Sequence, residues 1–266
     1  MKLTDIGANL THNSFDSDRD LVLERANEAG IKRIIVTGSN MDSSHAALAL
    51  AKSNPGTLWS TAGLHPHHAK EYDNELEESL RDLIREPEVV AIGECGLDYF
   101  RNFSSRQEQQ DAFEKQLDLA EKSELPVFLH QRDAHNEFIE ILKPRLTNIP
   151  RAVAHCFTGT EKELRECLDL GLYIGITGWI CDERRGINLK EIVSLIPDDK
   201  LMMETDAPYL LPRSLSPKPK TRRNEPVYLR EVLRVIADSR QQTERHVAKI
   251  TDDVAERFFL LNRTAN

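Results

Sequence analysis

The sequence predicts an α/β protein folded as one (β/α)₈ TIM-type barrel over residues 1–266. Three observations favour this fold. The length of 266 residues suits such a barrel, which typically has about 250. Eight short apolar segments alternate with helical stretches or loops, a pattern typical of parallel strands joined by helical crossovers. Ionisable residues recur where these segments end, as they do at the catalytic face of a barrel.

The eight predicted strands are rich in Val, Ile, Leu and small residues and are bounded by Gly, Pro or Asn, which is typical of buried strands. They cover residues 3–9, 33–38, 58–65, 89–98, 126–133, 151–158, 173–179 and 201–209. A doubly wound open sheet would also fit the alternation. The position of the polar residues favours the barrel.

The predicted helices carry recognisable boundaries. Asp16 precedes a helical run that ends at Gly30, and Thr160 precedes another that ends before Gly171. Ser104-Ser105 begins a third, whose apolar residues repeat at helical spacing. Residues 208–226, rich in Pro, Lys and Arg, predict a long loop after the last strand.

Composition narrows the functional class. The net charge of −9 argues against broad, non-specific binding of duplex nucleic acid, although a local basic site for a short single strand remains compatible with it. No apolar run approaches the roughly 18 residues of a membrane span, and Asp5 stands where a signal peptide would be apolar. We therefore expect a cytoplasmic protein. Four cysteines without CxxC spacing are expected to be reduced.

Single ionisable groups end several otherwise apolar predicted strands. They are His65, Glu94, His130, His155 and Asp206, with Glu204 two residues before Asp206. One such histidine would be explained by hydrogen bonding in the core, because buried unpaired charges are costly. Several at equivalent strand ends favour a divalent-metal site built from imidazoles and carboxylates. Asp206 is the candidate to orient and deprotonate a water molecule.

Six sequence blocks resemble the TatD family of metal-dependent deoxyribonucleases. They are GLHPH (63–67), GECGLD (93–98), His130 with RDA (132–134), HCFTG (155–159), ETDAPYL (204–210) and RNEP (223–226). The blocks span nearly the whole chain in family order. TGW (177–179) and CDERRG (181–186) are most similar to the bacterial branch of the family.

The resemblance implies a barrel of the metal-dependent amidohydrolase kind and a 3′–5′ exonuclease acting on single-stranded DNA and possibly RNA. It implies Mg²⁺, or Mn²⁺ or Zn²⁺, held by Glu94, His130 and His155, with Asp206 as a further ligand or the base. From the chemistry of the residues themselves, His65 would contact the phosphate or the developing charge, and Glu204 could support a ligand or form a structural ion pair.

One departure affects the number of ions. Many related barrels carry a His-x-His pair on the first strand, whereas this chain has Asp5-Ile6-Gly7-Ala8-Asn9 there. We therefore expect one firmly held ion, with a second that is looser or depends on substrate. Mg²⁺ tolerates few protein ligands because it keeps several waters.

Candidate substrate contacts lie in the loops after the strands. Lys220, Arg222 and Arg223 follow the strand that bears Asp206, where they could hold phosphates, although charge runs are usually solvated surface. His67 matches the family block but could be structural. Aromatic residues of the same loops could stack bases.

Two rival functions remain from the sequence. One is hydrolysis of another ester or amide, such as an aminoacyl ester, on the same barrel. The other is a binding or scaffold role after loss of catalysis. The basic loop favours a nuclease over the first, and the joint presence of Glu94, His130, His155 and Asp206 argues against the second. With no apolar interface stripe evident, a monomer is expected.

Overall fold

The structure, a computed structural model, describes residues 1–262 and contains one eight-stranded parallel sheet in the order β1 to β8. The strands are β1 Leu3–Ala8, β2 Ile31–Val36, β3 Leu58–Ala62, β4 Val89–Asp98, β5 Val127–Arg132, β6 Ala152–Ala154, β7 Tyr173–Ile176 and β8 Leu201–Met203. Each strand pairs in parallel with the next.

The sheet closes just beyond β8. The N–H of Asp206 donates to the carbonyl of Gly7 at 2.8 Å, and the N–H of Asn9 donates to the carbonyl of Ala207 at 2.7 Å. Ala8 and Ala207 form a parallel bridge at the same place. The predicted barrel is therefore confirmed, and its seam lies beside a candidate catalytic residue.

Nine α-helices accompany the strands within residues 1–262. They are α1 Arg19–Glu28, α2 Met41–Ser53, α3 Asn74–Leu83, α4 Arg106–Ser123, α5 His135–Leu142, α6 Glu161–Asp169, α7 Ile187–Ile192, α8 Leu229–Arg240 and α9 Glu244–Phe259. Short 3₁₀ turns lie at Asn13–Phe15, Pro66–Glu71, Lys143–Arg145, Gly178–Cys181, Val193–Leu195 and Pro226–Tyr228. None of these helices combines the length and apolarity needed to cross a bilayer.

The predicted helix starts agree with the structure in two cases of three. Ser105 and Thr160 each accept a backbone N–H three residues on and complete a capping box, which satisfies N–H groups that helix formation leaves unpaired. The first helix begins later than expected, after Asp18 rather than Asp16, and Asp18 makes no capping hydrogen bond. Its carboxylate binds Arg223 instead.

Four strands end three or more residues earlier than predicted. The ladder stops at Ala62, Ala154, Ile176 and Met203, so that the predicted extensions to residues 65, 158, 179 and 209 are turns and loops. Beyond these points the backbone leaves the ladder, and His65, His155 and Asp206 lie at the mouth of the barrel. Residues 208–226 contain no helix or strand before the turn at Pro226, as predicted.

The interior of the barrel is layered. A separate apolar cluster contains Phe128, Val153 and Met202 and is completed by Phe258 and Phe259 of α9. Because side chains two residues apart on a strand share a face, the residues two positions further on lie in the next layer up. These are His130, His155 and Glu204. Helix α9 thus packs against the bottom of the barrel, and polar groups gather at the top.

A buried ion pair joins α9 to the bottom of the barrel. The Arg33 side chain is 4% exposed and lies 2.8 Å from Asp252 and 2.7 Å from Glu256. Arg33 Nε also donates to Thr4 Oγ1 at 3.0 Å. The Arg33 guanidinium thus contacts two carboxylates and one hydroxyl group.

Replacing Arg33 with Met should lower the free energy of unfolding by roughly 3 kcal/mol, because it leaves Asp252 charged and without its buried partner. The measurement is chemical denaturation. Arg165→Met is the matched control, since the Arg165–Glu161 pair on α6 is 2.7 Å apart but has side chains 57% and 54% exposed. The control should lose less than about 1 kcal/mol, and equal losses would contradict the structural role of Arg33.

Candidate metal centre and active site

Glu94 reaches the mouth of the barrel because β4 is irregular around it. The register with β5 shifts between Ile92 and Cys95. Gly93 and Gly96 have φ angles of +134° and +144°, and a Cβ on either would come within 2.2 Å or 1.9 Å of a β5 carbonyl oxygen. Glycine is therefore required at both positions. The bulge turns the Glu94 side chain toward the other strands.

Three imidazoles converge on one oxygen of Glu94. Its Oε1 lies 2.9 Å from Nδ1 of His130, 2.8 Å from Nε2 of His155 and 3.4 Å from Nε2 of His65. These residues come from or directly follow β3, β5 and β6. The predicted meeting of separate strand ends is therefore present in the structure.

The charges of this cluster are strongly coupled. Burial is the largest influence on Glu94 and favours the neutral acid, but His155, His65 and His130 outweigh it and hold the Glu94 pKa well below its usual range. Burial likewise opposes the His155 cation, yet Glu94 and Glu204 hold the His155 pKa well above its ordinary value. For His65, burial prevails and lowers the pKa well below normal. Glu94 is thus anionic and His65 neutral.

The residues fit a divalent metal ion. One ligand atom each from His65, Glu94 and His130 lies within 4.8 Å of the other two. The His130 Nε2 atom is buried without a hydrogen-bond partner, although Asp98 Oδ2 lies 3.5 Å away. An imidazole nitrogen in that state is suited to bind an ion. Two nitrogens and a carboxylate oxygen suit Zn²⁺ or Mn²⁺, and Mg²⁺ where waters complete the shell.

Glu204 lies beneath His155 and is fully buried. Its Oε2 is 3.2 Å from His155 Nδ1, and its Oε1 accepts the backbone N–H of Cys156. Gly7 and Gly175 leave the room for this carboxylate, since a Cβ on either would lie 2.5 Å from one of its oxygens. Glu204 therefore orients His155, whose Nε2 is directed at Glu94.

Asp206 lies at the seam of the barrel. Its backbone has a φ of +54°, and its Oδ1 accepts a hydrogen bond from Asn9 Nδ2 at 3.0 Å. Burial, reinforced by Glu94 and Glu204 and opposed by His155, raises the Asp206 pKa to about 7. Asn9 was not among the predicted site residues, although it ends the first predicted strand.

Asp98 supports two histidines of the site. Its Oδ2 lies 2.9 Å from His67 Nε2 and 3.5 Å from His130 Nε2. Burial opposes ionisation of Asp98, but the neighbouring His130 and His67 imidazoles and the backbone N–H of Arg101 hold its pKa far below normal. His67 itself remains 28% exposed at the mouth of the barrel.

The basic residues of the loop 208–226 fall into two groups. Lys220 and Arg222 are exposed and form no ion pair with any residue in the range 1–262. Arg223 instead contacts Asp18 through both terminal nitrogens at 2.7 Å and Glu225 at 2.8 Å. This position does not support the expectation that Arg223 binds phosphate, because its two terminal nitrogens already donate to carboxylates and to the carbonyl of Ser14, and its Nε is buried.

The chain is similar to known proteins over nearly its whole length. The family described as TatD related DNase matches residues 4–260. A protein of Musicola paradisiaca named 3′-5′ ssDNA/RNA exonuclease TatD is 51% identical over 259 residues, which covers 97% of this chain and 98% of that protein.

Two solved structures are also similar. A TatD homologue from Escherichia coli K12 superposes with a TM-score of 0.88 at 30% identity, covering 97% of this chain and 98% of that one. An uncharacterized amidohydrolase from Saccharomyces cerevisiae has a TM-score of 0.85 at 23% identity, covering 97% and 100%, and agrees in fold. Through its profile match and its near full-length similarity to these relatives, the chain belongs to the TatD-related DNase family.

Proposed function

We propose that this chain is a divalent-metal-dependent 3′–5′ exonuclease that hydrolyses phosphodiester bonds of single-stranded DNA and of RNA. The observation that carries the proposal is the convergence of His65, His130 and His155 on one oxygen of Glu94. Relatives that are about half identical over nearly their whole length bear the name of such an exonuclease, which supports the substrate class.

The proposed ion is held by His65, Glu94 and His130, with His155 directed at the same carboxylate. Within residues 1–262 this is the one group of at least three candidate ligand residues, so we propose one firmly held ion per chain. Mg²⁺, Mn²⁺ and Zn²⁺ are the candidates. The sequence analysis expected His155 and Asp206 to be metal ligands. We propose instead that they lie beside the ion and act there without binding it.

A divalent ion bound here would supply a water of lowered pKa and neutralise charge on the phosphoryl oxygens. We propose that Asp206 accepts the proton of the attacking water. Its pKa of about 7 allows the carboxylate to take up a proton near neutral pH. Asn9 holds the carboxylate in place through Oδ1. Glu204 acts as a positioning residue that fixes His155.

Phosphates on either side of the scissile bond are proposed to lie against His67, Lys220 and Arg222. These groups are at least partly exposed, and neither basic residue has an ion-pair partner among residues 1–262. A hydrolase of neutral amides would gain nothing from such cations. They therefore favour the nuclease over a hydrolase of neutral amides.

Replacing Glu94 with Gln should reduce cleavage of single-stranded DNA by at least about 100-fold, because even groups outside the ligand set commonly contribute 10- to 100-fold. The assay is the initial rate with Mg²⁺ present, with circular dichroism to check folding. Glu166→Gln is a matched control, since Glu166 also pairs with a buried histidine, His135, at 3.1 Å but on the outer helices. A Glu94→Gln protein with full activity would contradict the proposal.

Removal of metal tests whether cleavage requires a divalent ion, and end-labelled strands test the direction of digestion. Treatment with EDTA should abolish cleavage, and added Mg²⁺, Mn²⁺ or Zn²⁺ should restore it. A strand labelled at its 5′ end should shorten stepwise, whereas a 3′ label should be released at once. The same sequence in a blunt duplex should be cleaved more slowly. Chelator-resistant cleavage, or immediate release of the 5′ label, would refute the proposed activity.

The two parts of the basic loop should behave differently. The double variant Lys220→Ala/Arg222→Ala should raise KM, and the slope of log KM against log salt should fall by about 0.7 for each lost phosphate contact on a single strand. Arg223→Met should instead lower the melting temperature, because it leaves Arg25 as the remaining ion-pair partner of Asp18 and Glu225. The prediction fails if Arg223→Met changes the salt slope and the double variant does not.

A further inference from the structure

Two exposed phenylalanines lie on the loop after β4, which bears Glu94 and Asp98. Phe100 and Phe103 are 53% and 59% exposed, whereas the largest fully buried side chains include Phe15, Phe113 and Phe128. Single exposed apolar residues are common on proteins, but here two large rings are exposed only three residues apart on a loop that follows the strand bearing Glu94. Neither ring is needed for the core.

Ring contacts connect Phe103 to the metal centre. Its ring centroid lies 4.8 Å from that of His67. The His67 ring in turn lies 4.2 Å from His65, and the His65 ring lies 4.4 Å from His130. A group stacked on Phe103 would therefore be separated from the candidate ligand residues by one histidine.

Phe100 is flanked by guanidinium groups. The Arg132 guanidinium lies 3.8 Å from the ring centroid and the Arg101 guanidinium 5.5 Å from it. In the part of the chain that the structure describes, neither arginine forms an ion pair with a carboxylate. This differs from Arg223, Arg25 and Arg33, whose guanidinium groups are neutralised. Two uncompensated cations beside exposed rings, on a chain of net charge −9, are complementary to a nucleic acid strand.

Asp98 fixes this loop relative to the metal centre. Its Oδ1 accepts the N–H groups of Phe100 and Arg101 at 2.9 and 2.8 Å, while its Oδ2 binds His67. The buried Gln109 amide holds the backbone of Asp98 in both directions, at 2.8 Å and 3.1 Å. The rings are therefore positioned by the same carboxylate that supports the histidines.

We propose that Phe100, Phe103, Arg101 and Arg132 form an aromatic platform that binds the unpaired bases and the phosphates of the substrate strand next to the scissile bond. The inference rests on the proposed function and names the subsite behind its preference for single strands. Bases of a duplex are stacked on each other and paired, so their faces are not free to stack on the platform. Every base has such a face, so the platform recognises single strands without sequence preference.

Binding measured without hydrolysis tests the platform. The full chain in EDTA is titrated into a fluorescent single-stranded oligonucleotide and into a matched strand whose 3′-terminal nucleotides lack bases. Loss of the bases should raise Kd by roughly 5- to 100-fold, the range expected for one to a few kcal/mol of stacking on a ring. Phe103→Leu should raise Kd for the intact strand similarly, because it keeps an apolar side chain but removes the ring.

The decisive result comes from testing the Phe103 variants on both strands. With Phe103→Leu, removal of the bases should cost no further affinity, and Phe103→Trp should restore the difference between the strands. Leu21→Ala, a change at an apolar residue of α1 that is 54% exposed, is the control and should leave both Kd values unchanged. Equal base dependence in wild type and Phe103→Leu would overturn the platform, as would an absence of base dependence in wild type. Failure of metal-dependent cleavage would instead refute the proposed function. The binding results would still test the platform, because they are measured without hydrolysis.

Discussion

The buried carboxylate of Glu94 places the strictest demand on this structure. Removing an ionised carboxylate from water costs several kcal/mol, and only close, well-directed partners offset that cost. Here the partners are imidazoles from three other parts of the barrel, each within 3.4 Å of one oxygen. Their arrangement requires the bulge in β4, which in turn requires glycine at positions 93 and 96. Burial of this one charge therefore depends on the backbone conformation of β4.

The residues below and around this cluster keep it in place. Glu204 can lie beneath His155 only because Gly7 and Gly175 have no side chains there. Asp98 binds His67 and, through its other oxygen, the loop that carries Phe100. The site is therefore supported from beneath and from one side. The loop proposed to bind the bases is an extension of the same hydrogen-bond network.

At the seam of the barrel, Asp206 has both a structural role and a proposed chemical role. Asp206 closes the sheet through its backbone and is held through its side chain by Asn9. The amide of Asn9, directly after β1, thus orients the proposed base. A histidine-poor first strand is consistent with a single firmly held ion, because it contributes a hydrogen bond to Asp206 instead of ligands.

The sequence by itself determined the eight strands, the closed barrel and the set of ionisable residues at the strand ends, because apolar runs and their polar termini are local patterns. Only the tertiary structure decided how those residues are paired. Arg223 is separated from Asp18 by 205 positions, so no local pattern distinguishes it from the free Arg222 beside it. The grouping of His65 with Glu94 and His130, and the role of Asn9, likewise depend on where the backbone leaves the ladder. That exit is set by hydrogen bonds between distant strands, which a single sequence does not display.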